Sequence, residues 1–232
     1  MGIDYECALD YLIAVLDTFV SVTEMNSALS AFIWLAAGAF LLGSIPFSVV
    51  VGRIFLKKDI RAFGDHNPGA ANVFRAGSTL IGALAVTLDI GKGVPFVWLA
   101  QKAGHLSVPA VLGIGLLAIL GHAFSPVLGF KGGKALAVSA GVIIGLFDAR
   151  LFFGFFGPAL FYALTLESNA WLAVLTPMTT AIYLLVTRGD AREVIFMLCM
   201  TAILTLKQTG DIHGLPRLKP RLTSWLAPNR PG

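Results

Sequence analysis

The stretch VPAVLGIGLLAILGHAFSPVL, residues 108–128, indicates the fold class. His122 is its only ionisable side chain, and the run is as long as the roughly 20 apolar residues that cross a bilayer as a helix. Comparable apolar segments lie at residues 29–51, 80–100, 135–147, 151–166, 171–187 and 194–206. We therefore predict an all-α integral membrane protein with about seven transmembrane helices, of which the fourth and the seventh are short.

The composition excludes a soluble enzyme. Hydrophobic residues make up 56% of the chain and charged residues only 13%, whereas a soluble domain carries roughly 25% charged residues to cover its surface. Cys7 and Cys199 are too few for a disulfide framework, and the scattered histidines form no metal-binding pattern. The net charge of +4 is typical of the cytoplasmic loops of a membrane protein, so we predict no nucleic-acid partner.

The basic residues predict the orientation, because cytoplasmic loops carry an excess of Lys and Arg. With seven spans, one side of the membrane holds twelve of them: Arg53, Lys57, Lys58, Arg61, Arg75, Lys131, Lys134, Lys207, Arg217, Lys219, Arg221 and Arg230. The other side holds only four, which are Lys102, Arg150, Arg188 and Arg192. We therefore place the N-terminus outside and the C-terminus in the cytoplasm, with the polar loops described below on the cytoplasmic face.

The chain divides into three parts. Residues 1–28 contain acidic residues but no basic ones, so they are not a signal peptide. We predict an N-terminal extension of unknown role, either a peripheral helix or an upstream start that precedes a true start at Met25. Residues 29–215 form the membrane domain, and residues 216–232 form a basic cytoplasmic tail.

The first polar loop reads FGDHNPGAANVFR, residues 63–75. Its glycines expose backbone N–H groups, and Asn67 and Asn72 add amide donors. Arg75 adds a guanidinium that can bind two oxygens of a phosphate at once. The loop is therefore a candidate phosphate site, and the alternative is an ordinary solvated loop between helices.

The second polar loop reads GHAFSPVLGFKGGK, residues 121–134. Lys131 and Lys134 bracket two glycines immediately before a predicted helix, whose N-terminus favours an anion. The spacing is not that of a P-loop. The alternative is a positively charged anchor with a flexible turn. His122, alone at the end of a span, is more typical of a hydrogen-bonded residue than of a metal ligand.

The sequence contains two further polar features. Asp89 and Lys92 are the only charges clearly inside a span, and their i, i+3 spacing lets them face each other. A third polar stretch, residues 207–215, follows the last span.

Two cationic loops at the bilayer surface, next to hydrocarbon that could receive an acyl chain, favour an enzyme or binder that handles a phosphorylated lipid precursor.

At these residues the chain resembles a known family, the bacterial acyl-phosphate:glycerol-3-phosphate acyltransferases of the PlsY type. The family motif G-S-x-N-x-G-A-T-N-x-x-R is mostly matched by residues 64–75, and G-H-x-x-x-P-x-x-x-x-F-K-G-G-K by residues 121–134. Gly43-Ser44-Ile45-Pro46 and Asp89-Ile90-Gly91-Lys92-Gly93 also look like family positions. The resemblance runs from about residue 29 to about residue 215.

The resemblance implies an enzyme of the bacterial inner membrane that transfers a fatty acyl group from acyl phosphate to the 1-hydroxyl of glycerol 3-phosphate. The products would be lysophosphatidate and phosphate, and no metal or cofactor would be needed. The partners would be these two substrates and membrane lipid. The catalytic candidates are Arg75, Lys134, Asp65, Asp211 and Gln208. The candidates for binding substrate or phosphate are Asn67, Gly69, Asn72, Lys131, Gly132, Gly133, His122 and Lys92.

The chain departs from the family pattern at five positions. Asp65 stands where the family has Ser, Ala71 where it has Thr, Gln208 where it has His, Asp211 where it has Asn and Gly214 where it has Arg. A carboxylate near a phosphate repels it unless the carboxylate is protonated or paired with a lysine.

Two alternatives therefore stay open. One is a diverged paralogue that acylates another acceptor or is inactive. The other is a small permease, which would need polar residues along several spans, where only Asp89 and Lys92 are found.

Overall fold

The computed structural model describes residues 5–103 and 106–220. Within these ranges the chain forms ten α-helices: α1 Tyr5–Ser44, α2 Phe47–Val51, α3 Ala70–Arg75, α4 Thr79–Gly91, α5 Pro95–Lys102, α6 Val108–Ala123, α7 Leu136–Leu146, α8 Ala149–Thr165, α9 Asn169–Val186 and α10 Ala191–Gln208. A π-helical turn at Gly52–Leu56 extends α2, and short 3-10 turns lie at Ile60–Ala62 and Pro126–Leu128.

The predicted spans coincide with these helices. In the described part of the chain, four helical segments are long and apolar enough to cross a membrane: Thr23–Leu56, Thr79–Lys102, Val108–Leu128 and Asn169–Val186. The shorter apolar helices α7 and α8 and the helix α10 occupy the three remaining predicted spans. The prediction of an all-α membrane protein is confirmed, while the number of crossings and the orientation stay predictions. The predicted division at residue 28 falls inside α1 and likewise stays a prediction.

Prolines and capping residues explain where the helices break. The first predicted span is divided because α1 ends at Ser44 and Pro46 cannot continue the hydrogen-bond ladder. The second is divided between α4 and α5, where Pro95 begins the new helix. The Ser78 hydroxyl accepts the Ile81 N–H at 3.2 Å and caps α4. These breaks place irregular backbone inside two of the predicted spans.

Glycines allow the helices around α6 to approach closely. A Cβ at Gly43 would lie 2.3 Å from the carbonyl oxygen of Ala118, and one at Gly121 would lie 2.2 Å from that of Phe40. Small residues at such crossings are typical of helix packing in membranes. A Cβ at Gly141 would lie 1.9 Å from the carbonyl oxygen of Ile90, so α4 and α7 are held together in the same way.

The core lies between α6, α7 and α10, where Ile114, Ile119, Val142, Ile143 and Met200 are fully buried. This core aligns the three helices so that the end of α6, the start of α7 and the end of α10 meet at one end of the bundle. The 57–78 segment with α3 covers this end. The two polar loops and the stretch after α10 are thereby brought together.

Candidate active site

Lys134 joins three segments of the chain at this end of the bundle. Its ammonium lies 2.7 Å from Asp211 Oδ2, and it also donates a hydrogen bond to Asp65 Oδ2. Asp65 belongs to the first polar loop, Lys134 to the second and Asp211 to the stretch after α10. The lysine is about one-quarter exposed and both carboxylates about one-third or less, so the cluster is accessible to a ligand.

The first loop is organised around the Asn72 side chain. Its Nδ2 donates to Asp65 Oδ1 at 2.9 Å and to the Asn67 carbonyl at 2.8 Å, while its Oδ1 accepts from Arg75 Nη1 at 2.7 Å. Arg75 Nη1 also lies 3.4 Å from Asp65 Oδ1. Gly64 has a φ of +57°, and a Cβ there would lie 2.5 Å from Asn72 Oδ1. Glycine is therefore required at position 64 for this network to form.

The carboxyl of Asp65 has a lowered pKa. Burial raises it, but the hydrogen bond and charge of Lys134, together with the Asn72 amide, outweigh burial and hold the pKa below its ordinary value of 3.8. Asp65 is therefore ionised at neutral pH. Asp65, Asp211, Lys134 and Arg75 then carry two negative and two positive charges, so the cluster is electrically balanced before any ligand binds.

A second polar group is buried beneath this cluster. Asp89 Oδ1 lies 2.9 Å from Lys92 Nζ, which confirms the i, i+3 pair predicted from the sequence, and both side chains are almost completely buried. Asp89 Oδ2 accepts a 2.6 Å hydrogen bond from Ser48, and Lys92 also donates to the Ile45 carbonyl at 2.7 Å. His122 Nδ1 lies 3.9 Å from Asp89. Sequence analysis missed Ser48, two residues beyond the Gly43–Pro46 motif.

The two glycines of the second loop are required for close packing. A Cβ at Gly132 would lie 2.0 Å from the His122 carbonyl oxygen, and one at Gly133 would lie 2.2 Å from His122 Nε2. The Gly133 N–H donates to the same carbonyl at 3.1 Å. Ala135, which precedes α7, has a φ of +65°. The glycines therefore fix the loop against His122 and direct Lys134 towards Asp65 and Asp211.

A cavity of about 390 Å³ adjoins this cluster. Its polar wall includes Asn67, Asp89, His122, Lys134, Asn169 and Gln208. Its apolar wall includes Val86, Ile90, Leu136, Phe155, Phe156 and Ala159. The cavity is thus amphiphilic, with Lys134 at the point where the charged cluster meets the apolar wall.

Gln208 lies at the end of α10 and is only 3% exposed. Among the described residues, its Oε1 has no hydrogen-bond partner, and the side chain lines the cavity. A buried acceptor without a partner is costly, and one at a cavity wall is ready for a ligand donor.

The remaining predicted site residues differ in their placement. Gly69 precedes α3 and lines the cavity together with Ala71. Lys131 is exposed and is not part of the cavity wall. Gly214, with a φ of +71°, is exposed. Among the side chains that the structure describes, no group of three or more His, Cys, Asp or Glu residues is placed to hold a metal ion.

Comparison with known proteins identifies related sequences over most of the chain. The sequence model of the family described as glycerol-3-phosphate acyltransferase matches residues 33–217. A glycerol-3-phosphate acyltransferase of Aromatoleum aromaticum is 36% identical over 187 residues, which cover 79% of this chain and 92% of the relative. One of Listeria welshimeri is 34% identical over 199 residues, which cover 81% and 94%.

Two solved structures share the fold. The glycerol 3-phosphate form of PlsY, an integral membrane glycerol 3-phosphate acyltransferase, superposes with a TM-score of 0.68 at 26% identity, covering 84% of this chain and 98% of that one. The lysophosphatidic acid form superposes with a TM-score of 0.67 at 25% identity, covering 83% and 92%. This chain is therefore a multi-pass membrane protein that belongs to the glycerol-3-phosphate acyltransferase family of the PlsY type.

Proposed function

We propose that the chain transfers a fatty acyl group from acyl phosphate to the 1-hydroxyl of glycerol 3-phosphate, at the cytoplasmic face of the bacterial inner membrane. The observation that carries this proposal is the position of Lys134 between the Asp65 and Arg75 cluster and the apolar wall of the cavity. The cation suits the phosphate of either substrate. The wall that contains Phe155 and Phe156 suits the acyl chain.

Acyl phosphate is a mixed anhydride, so its acyl carbon is already activated. The protein therefore mainly has to position the two substrates. The hydroxyl oxygen of the acceptor attacks the acyl carbon, and the bond between that carbon and the phosphate oxygen breaks. Phosphate leaves with the electron pair and takes up the hydroxyl proton, which gives lysophosphatidate and hydrogen phosphate. Lys134 and Arg75 stabilise the charge that develops on the departing phosphate, and the site holds the two substrates in contact.

A phosphate oxygen that binds Lys134 either takes up the third N–H of its ammonium or replaces one of its two carboxylate partners. The Lys134 ammonium is hydrogen-bonded to Asp65 and ion-paired to Asp211. A phosphate oxygen that takes one of these positions displaces a carboxylate, which then turns to water or to the hydroxyls of the acceptor. Asp65 retains the Asn72 amide as a partner during this exchange.

The charge balance of the cluster favours a second candidate function, acyl transfer to an acceptor that carries less negative charge than glycerol 3-phosphate. Asp65 and Asp211 cancel the charges of Lys134 and Arg75, so the cluster has no excess positive charge for a dianion. Acceptors such as glycerol would then be acylated faster than glycerol 3-phosphate by the same chemistry.

The experiment that tests the site uses Lys134→Ala and Arg75→Ala. Each should lower the rate of acyl transfer by about 100-fold or more, the usual effect of removing one charge-stabilising donor, while the folded yield is unchanged. Lys57→Ala is the matched control, because Lys57 is an exposed lysine outside the cluster and the cavity, and it should retain full activity. Normal activity in either test variant would contradict the assignment of these residues.

A further inference from the structure

A second cavity, of about 310 Å³, lies at the opposite end of the bundle from Lys134. It is bordered by the starts of α6, α8 and α10 and the end of α7, whereas the Lys134 site lies near the ends of α6 and α10 and the start of α7. Its apolar wall includes Val111, Leu112 and Leu151. Of the residues that the structure describes, Gln101, Asp148 and Glu193 form its polar wall. The acyl-transfer site uses none of these residues.

Glu193 is the unusual member of this cavity. It is only 9% exposed, and in the part of the chain that the structure describes its Oε2 is buried without a hydrogen-bond partner. Its Oε1 lies 3.4 Å from Arg150 Nη2, and the Arg150 side chain is half exposed. A buried carboxylate oxygen without a donor is costly. Glu193 lines the cavity, and one oxygen of its carboxyl group has unused hydrogen-bonding capacity.

The other polar groups of the cavity do not supply the missing donor. The Gln101 amide donates to the Leu146 carbonyl, and the Asp148 Oδ1 accepts the Leu151 N–H at 2.9 Å as the cap of α8. Arg192 is engaged by Asp190 at 2.7 Å. Among the described residues the cavity wall thus carries two carboxyl groups and no basic side chain, and Arg150 pairs with Glu193 from outside that wall.

We propose that this cavity binds the primary ammonium group of an amphiphile. An N–H of the ammonium donates to Glu193 Oε2, its positive charge lies against the carboxyl groups of Asp148 and Glu193, and the attached carbon chain packs on Val111, Leu112 and Leu151. The cavity is at the lower end of the size range of small-molecule sites, so it holds a head group and a short part of a chain. The same chemistry is offered by an aminophospholipid, such as one with an ethanolamine head group, and by a free amphiphilic amine.

The first test measures the thermal stability of the purified protein in detergent as hexylammonium is added. A ligand that binds only the folded protein raises Tm in a saturable manner. Hexyltrimethylammonium has the same chain and charge but no N–H donor. It should need at least a tenfold higher concentration than hexylammonium to give the same rise in Tm. An equal effect of the two ions, or no saturable effect of hexylammonium, would overturn the proposal.

Variants locate the site. Glu193→Gln should raise the half-saturating concentration of hexylammonium at least tenfold, while Glu167→Gln, which changes an exposed glutamate elsewhere, should leave it unchanged. Val108→Phe provides a second test in case Glu193→Gln folds poorly, because Val108 lines the cavity yet is 45% exposed. It should also weaken binding at least tenfold. Wild-type binding in Val108→Phe or in folded Glu193→Gln would overturn the proposal.

The lipid that stays bound to the purified protein distinguishes the two sources of the amine, a membrane lipid and a free amphiphilic amine. The protein is extracted from bilayers that contain equal amounts of phosphatidylethanolamine and phosphatidylcholine, and the retained lipid is measured by native mass spectrometry. If the ligand is a membrane lipid, the wild type should retain phosphatidylethanolamine preferentially, and Glu193→Gln should lose this preference. Equal retention of the two lipids together with saturable binding of hexylammonium would support a free amine. Equal retention without that binding would overturn the proposal.

Discussion

Lys134 Nζ lies 2.7 Å from Asp211 Oδ2, which ties the residue before α7 to the stretch after α10. Asp65 approaches the same ammonium from the first polar loop. Because the resemblance to the family places neutral Ser and Asn at positions 65 and 211, this double pairing is a feature of this chain. The lysine proposed to bind phosphate is also the residue that links the three segments of the site.

Removing either carboxylate should therefore strengthen binding of glycerol 3-phosphate. We expect Asp65→Ser and Asp211→Asn each to lower the KM for glycerol 3-phosphate roughly three- to tenfold, because a partly exposed ion pair contributes about 1 kcal/mol and 1.4 kcal/mol corresponds to tenfold. The effects should not add in the double variant, since both residues contact Lys134. Steady-state kinetics with glycerol as a second acceptor provide the control. A KM unchanged in both variants would show that the pairs do not oppose phosphate binding.

The Asp65 pair should also make stability depend on pH. The pKa of Asp65 is lower in the folded chain than the ordinary value of 3.8, so its contribution to stability is fully present above that value and is lost as the pH falls through the folded pKa. The Tm of the wild type should therefore fall more steeply below about pH 4 than that of Asp65→Asn. Parallel curves for the two proteins would contradict the lowered pKa.

Gln208 should position the acceptor through its unpaired Oε1. We expect Gln208→Leu to lower kcat/KM for the acceptor roughly tenfold, because a hydrogen bond to a buried acceptor is lost. Gln208→His should recover part of the activity and add a pH dependence near 6.5, the ordinary pKa of histidine. The wild type should show no such dependence from this position. Unchanged kcat/KM in Gln208→Leu would exclude contact between Gln208 and substrate.

The buried pair of Asp89 and Lys92 should be needed for folding. Breaking a buried ion pair by removing one partner costs about 3–5 kcal/mol, whereas replacing both partners is often tolerated. We therefore expect Asp89→Asn and Lys92→Met each to lower the folded yield and the Tm. The double variant should recover most of both, as measured by size-exclusion chromatography and thermal unfolding. A double variant as unstable as the worse single variant would indicate that Ser48 and Ile45 contribute more than the pairing itself.

Much of the fold could be predicted from local sequence. Each apolar run identified in the sequence forms a helix or a pair of helices, and the i, i+3 spacing gave the correct partner for Lys92. The breaks at Pro46 and Pro95 were missed because an apolar run continues through them. Hydropathy indicates which segments can be buried in lipid. These breaks arise instead because proline lacks the backbone N–H that a continuous helix needs.

The site could be predicted only in part. The motifs proposed Arg75, Lys134 and Asn72 as site residues, which stays a prediction. The contacts of Lys134 with Asp65 and Asp211 join segments far apart in the chain, which no local pattern records. The two glycines before Lys134 were expected to offer N–H groups to an anion. In the structure Gly133 donates to His122 instead, because the close approach of the two loops engages it.

The central claim is acyl transfer from acyl phosphate to glycerol 3-phosphate. It is tested most directly by supplying the purified protein in lipid with palmitoyl phosphate and measuring phosphate release and lipid products with and without glycerol 3-phosphate. We predict release that depends on glycerol 3-phosphate, with one lysophosphatidate formed for each phosphate released. Phosphate release that does not respond to glycerol 3-phosphate, or a product acylated on another acceptor, would contradict the claim.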